Sequence, residues 1–197
     1  IKSAPGGDIT DERLRNLMEG MPMMKGWKML IQHLLDQGVH VAIVSGGLQK
    51  TARDIAAQFP SEEPWRRRWG GIDRHTALEH SNGRDSRLHV FTNGWLMNPS
   101  DGKGPPGIGD YGRYQVQMNG KGAIVKMLQR RLGVEKSNTA SVGDSMGDVG
   151  MFGESACAVL FNPWDDRPRS FAHHVIEEKD LRLVLDLICD RFGLPKP

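Results

Sequence analysis

The chain has 197 residues, enough for one large α/β domain or a core with a small appendage. Its formal net charge of +2 calls for neither a nucleic-acid nor a membrane partner. The two cysteines, Cys157 and Cys189, lack metal-ligand spacing and read as reduced packing thiols, so a cytoplasmic protein is expected. The residues contain no bilayer-length apolar run and no internal repeat, and no signal peptide is expected.

Pro5, Gly6 and Gly7 favour turns and mark the start as a linker or a cut end. Thr10 is placed to cap a helix over Asp11–Met18, with acids in its first turn and Leu14, Leu17 and Met18 on one face. Gly20, Pro22 and Gly26 interrupt the pattern. A second helix is predicted over Trp27–Gln37, with Trp27, Leu30, Ile31, Leu34 and Leu35 as its apolar stripe and Gly38 as its terminating glycine.

Val39–Val44 is short and β-branched, and predicts a buried strand. It ends in Ser45-Gly46-Gly47, and Leu48–Gln58 then reads as a helix. A strand, a small-residue turn and a helix aim backbone N–H groups and a hydroxyl at an anion. The same residues also describe a plain strand-to-helix turn.

Between Pro60 and Gly120 the pattern is less regular. Trp65–Trp69 brackets three arginines, a grouping that can stack on nucleic-acid bases. No second basic patch accompanies it, so it reads as a surface insertion with partly packed tryptophans. Leu88–Phe91 is a candidate strand, with Trp95–Met97 as its partner or continuation. Ser100–Gly112 is dense in Gly, Pro and Asp and is expected to be a loop. Tyr114–Met118 alternates and is expected to form an edge strand.

Lys121–Leu132 predicts a helix that buries Ile124, Met127, Leu128 and Leu132 and stops at Gly133. Lys121 lies at its first position, where a cation opposes the helix dipole unless an anion is near. Thr139–Val142 is a small or apolar run ending at Gly143, followed by Asp144 and Asp148. A buried strand that delivers two carboxylates to its C-terminal edge makes a hard oxygen site suited to magnesium; the alternative is a loop with two solvated aspartates. Met151–Ser155 reads as a short helix, Ala156–Phe161 as an apolar strand, His174–Ile176 as a short strand and Asp180–Phe192 as a closing helix. Strands alternating with helices argue for a parallel α/β sheet.

Ser45 with its glycines, Lys121 and the Asp144/Asp148 pair are the parts of a phosphoryl-transfer site. Their order resembles the haloacid dehalogenase superfamily, in particular its phosphoserine phosphatase-like branch. VAIVSGG resembles the second motif of that family, GKGAIVKML the third and GDSMGDVGMF the fourth. HHVIEEKDLRLVLDLI is similar to the branch's C-terminal signature, and FTNGWLMNPSDGKG to its Asn…Asp-Gly hairpin, with Asn93 and Gly102 at the matching places. GDITDERLRNLMEGMPMMKGW resembles the end of a helical cap returning to the core, with Met21 and Met23 near the hinge.

The resemblance implies a Rossmann-like, three-layer core over 27–197, the end of a cap over 1–26, and a hairpin and loop insertion over 60–120. It implies hydrolysis of a small phosphorylated metabolite through an aspartyl-phosphate. Ser45, Gly46, Gly47 and Lys121 would bind phosphate, Asp144 and Asp148 would serve Mg2+, and Lys121 and Asp148 would be catalytic. Two departures stand out. Gly147 replaces the usual Asn before the second aspartate. The family's first motif, a strand ending in Asp-x-Asp, has no counterpart: Asp8 and Asp11 follow glycines, and Asp165-Asp166 follows Asn-Pro-Trp. The expectation is that this strand lies on an upstream fragment or a second chain that completes the sheet. The rival expectation is a degenerate, non-catalytic binding module.

Overall fold

A computed structural model describes residues 21–48, 52, 55, 58–59, 87–97, 108–113, 116–117 and 119–197. The expected first helix and the Trp65–Trp69 run lie outside these residues. Helix α1, Trp27–Asp36, starts at Gly26 and ends where Gly38 turns left-handed, with the Gly38 and Val39 N–H groups donating back to the Leu35 and Leu34 carbonyls. Strand β1, Val41–Leu48, runs parallel to β2, Leu88–Met97. The regular pairing of β1 lasts through Ser45 and slips before Leu48. The predicted strand therefore extends through the two glycines. Of the helix expected over Leu48–Gln58, Leu48 instead ends β1 and Gln58 lies in a turn, while Ala52 and Ile55 are helical.

Trp95–Met97 continues β2 rather than folding back on it. The returning strand is β3, Ile108–Arg113, antiparallel to β2. This corrects two expectations. Part of the Ser100–Gly112 loop is a strand, and Val116 and Gln117, within the expected edge strand, belong to none. Glycine density lowers strand preference only as an isolated tendency; a neighbouring strand end outweighs it by pairing backbone groups, with Gly112 opposite Trp95.

Helix α2 is Lys121–Leu132, and strand β4 is Ala140–Gly143. The 3-10 turn Met146–Asp148 leads into the short helix α3, Val149–Phe152. Strand β5, Cys157–Phe161, is buried at every residue, as expected for an interior parallel strand. Strand β6, His174–Ile176, and helix α4, Leu181–Phe192, complete the chain, with Asp180 capping α4 through the Arg182 N–H. β4, β5 and β6 are parallel, in that order.

The β5 side chains alternate between two layers, as strand geometry requires. Cys157, Val159 and Phe161 pack with Leu34 of α1 and with Val184, Leu185 and Ile188 of α4. Ala158 and Leu160 pack with Val149 and Phe152 of α3 on the other face. β1 is covered in the same way: Val41 and Ile43 face α1 through Leu35, and Val44 faces α2 through Ile124 and Leu128. α1 thus spans both sheets, and Val41 joins the cluster that holds Ala140 and Val142. Two three-stranded sheets share the same helical layers, yet among the described residues no strand pairs with the remaining edge of β1 or of β4. No described helix is long and apolar enough to cross a membrane.

Candidate active site

The site is built where β4 ends. Gly143 is its last residue, and the Asp148 side chain folds back over it. A Cβ on Gly143 would lie 2.3 Å from the Asp148 Cβ, so this close approach requires glycine. Ser145 caps the following turn: its side chain and that of Asp148 exchange hydrogen bonds with each other's backbone N–H in a capping box.

Asp148 is the hub. Its Oδ2 accepts from the Asp144 N–H at 3.0 Å, the Ser145 N–H at 3.1 Å and the Ser145 hydroxyl at 3.1 Å. Its Oδ1 accepts from Lys121 Nζ at 2.6 Å, and the carboxylate is only 4% exposed. Four donors reach this carboxylate, three on Oδ2 and one on Oδ1. Burial by itself would raise the Asp148 pKa. The Lys121 hydrogen bond and charge, with the backbone donors, reverse this and hold it below the ordinary value.

Asp144 is the contrasting member of the pair. It is exposed, yet its pKa is raised, first by partial desolvation and then by repulsion from Asp148. A carboxylate is a hard oxygen donor of the kind divalent cations take. The two expected metal residues are therefore unequal. Asp144 is exposed, whereas Asp148 is buried and already accepts four hydrogen bonds. No cluster of three or more His, Cys, Asp or Glu residues suited to a metal occurs among the described residues.

Lys121 resolves the anomaly noted in its sequence position. The anion beside it is Asp148, and its side chain is only 16% exposed. Ser45, Gly46 and Gly47 lie on β1, where the Ser45 hydroxyl accepts from the Gly47 N–H at 3.0 Å. Ser45 connects to the aspartates through the packing of α2 on β1, not through a hydrogen bond. The structure thus joins Lys121, Asp144 and Asp148 directly and leaves Ser45 on the neighbouring strand. Sequence reading missed Ser145 as a participant, although its spacing to Asp148 is that of a capping box.

Parallel strands sandwiched between helices, with carboxylates and a lysine gathered at a strand's C-terminal end, are similar in fold to haloacid dehalogenase family hydrolases. In sequence the chain is phosphoserine phosphatase-like. It is 26% identical over 183 residues to a phosphoserine phosphatase from Methanocaldococcus jannaschii, covering 92% of this chain and 71% of that protein. A phosphoserine phosphatase from Wolinella succinogenes is 27% identical over 174 residues, covering 87% and 68%. A solved phosphoserine phosphatase structure, a phospho-aspartyl intermediate analogue, superposes with a TM-score of 0.69 at 21% identity, over 91% of this chain and 71% of that one. No family model matches.

Proposed function

We propose that this chain is the greater part of a Mg2+-dependent phosphate monoester hydrolase whose substrate is phosphoserine or a close relative. The observation that carries the reading is the buried Lys121–Asp148 pair set against Asp144 at the end of β4. The curated relatives, both phosphoserine phosphatases, supply the substrate class.

In this reading Asp144 holds the magnesium ion, which offsets the charge repulsion between carboxylates and phosphate when bound. Lys121, fixed by Asp148, offers its remaining N–H donors to a phosphoryl oxygen. The Ser45 hydroxyl and the Gly46 amide bind the other non-bridging oxygens, and the Gly47 N–H either holds the Ser45 hydroxyl, as here, or turns to phosphate. Ser45 can donate its own proton to phosphate while still accepting from the Gly47 N–H. The nucleophile is the first aspartate of an Asp-x-Asp strand that pairs with both β1 and β4, and it forms an aspartyl-phosphate. Support for that strand comes from the two unpartnered edges under common helical layers. An upstream segment or a second chain would carry it.

The test is turnover of para-nitrophenyl phosphate and phosphoserine, with and without Mg2+. The chain alone should be inactive, and activity should appear when the Asp-x-Asp strand is supplied. In that assembly Lys121→Ala should lose about 3 kcal/mol of transition-state stabilisation, on the scale of removing one oxyanion donor. Magnesium-dependent turnover by the chain alone would refute the need for a completing strand. An assembled but inactive protein that still binds phosphate would favour a binding module.

A further inference from the structure

Gly122 follows Lys121 in the first turn of α2 and is buried. Gly150 lies two residues beyond Asp148 in α3. Their backbones touch. A Cβ on Gly122 would lie 2.4 Å from the Gly150 carbonyl oxygen and 2.8 Å from its carbon. These are main-chain atoms, so no rotamer change relieves the clash. The contact is asymmetric: a Cβ on Gly150 would meet the Gly122 nitrogen at 3.3 Å and its Cα at 3.7 Å, which asks for only a small adjustment.

We propose that Gly122 and Gly150 are positioning residues for Lys121: their backbone contact locks the start of α2 against α3 and so sets the lysine's reach to Asp148. No side chain caps α2 at Gly120, so this contact stands where a cap would otherwise fix the helix start. An alanine at 122 must push the first turn of α2 off α3 by about 1 Å to restore ordinary contact. Nζ now sits 2.6 Å from Asp148 Oδ1, and a shift of that size carries it out of hydrogen-bond range. A misplacement of that size in a catalytic group costs about 100-fold in rate. The consequence for phosphate rests on the function proposed above; the Lys121–Asp148 geometry does not.

The direct test reads the Lys121 amine. Reductive methylation of the folded chain, followed by mass spectrometry, should find Lys121 protected. In Gly122→Ala with an unchanged circular dichroism spectrum, Lys121 should be modified about tenfold faster or more, as expected when a charge-assisted hydrogen bond is lost. Gly150→Ala should fall between that variant and the natural chain. Protection of Lys121 in folded Gly122→Ala overturns the proposal. Should Gly122→Ala not fold, Gly150→Ala decides: unchanged protection there also overturns it. Inorganic phosphate affinity with Mg2+ separates the two readings. Lys121→Ala should weaken it, and adding Lys121→Ala to Gly122→Ala should cost little more, which a purely structural glycine would not produce. Unaltered phosphate affinity in Lys121→Ala would refute the phosphate site while leaving the labelling result intact.

Discussion

Asp148 shows how one residue's surroundings set both chemistry and stability. It is 3% exposed and ionised, and the side chain of its opposite charge, Lys121, is 16% exposed. Removing one member leaves the other as a buried, uncompensated charge, so Asp148→Ala should destabilise the fold by about 3 kcal/mol or more. The pH dependence follows from the sign of the shift. Asp148 loses its proton more readily in the folded chain than in the unfolded one. Its contribution is therefore fully present above its ordinary pKa near 4 and is lost as pH falls through the lower folded value. Urea midpoints measured across the acid range should fall steeply for the natural chain, and Asp148→Asn should flatten that limb. A parallel displacement of the whole curve would mean that Asp148 gains nothing from ionisation in the fold. Much of this site was legible in the residues themselves. A lysine at a helix start is electrostatically misplaced unless an anion waits there, and Gly143 before two aspartates marked the strand end that delivers them. Sequence spacing could not show which aspartate is held by the lysine, because that depends on Lys121, the first residue of a helix 27 positions away.

At the level of elements, periodicity served well where one face of a segment is buried. α2 has the bounds its pattern predicted, and α1 ends one residue earlier than expected. β3 was missed because Gly109 and Gly112 contribute no side-chain signal; only the presence of β2 makes that segment a strand. The junction ahead of α1 was also underread. Gly26 appeared as a helix breaker, yet it holds a left-handed φ of 79° and a tight seat on α4, where a Cβ would lie 2.6 Å from Arg182 Cγ and 3.0 Å from its backbone nitrogen. Around it Lys25 reaches the Asp180 carboxylate at 3.1 Å, and the Leu181 N–H donates to the Lys25 carbonyl at 2.8 Å. This clasp fixes where the segment before α1 meets the core. Gly26→Ala should cost about 1–2 kcal/mol from the backbone conformation alone, before any displacement of Arg182. Thermal denaturation checks it: a melting temperature within a degree of the natural chain would contradict the left-handed conformation at this position.

For the molecule as a whole, the question is what lies between β1 and β4. β1 carries apolar side chains on both faces and β4 on one, through Ala140 and Val142, and both strands pack against α1. Yet β5, buried at all five residues, is the one strand of its sheet with partners on both sides, whereas Ala140 and Val142 of β4 stay half-buried. Backbone groups left at such an edge must bond to water or to another strand. Local opening should therefore be easiest where a partner is lacking. Amide hydrogen exchange of this chain should show the Ala140–Gly143 segment exchanging faster than Cys157–Phe161, although the two are paired residue for residue. Adding a peptide of four or more β-branched residues ending in Asp-x-Asp should slow exchange in Ala140–Gly143 and in Val41–Ser45 together, because one inserted strand borders both. Slowing of only one segment would place the peptide on an outer edge. Equal protection of β4 and β5 before any peptide is added would mean that the edge of β4 is already covered, and the argument for an inserted nucleophile strand would lose its structural basis.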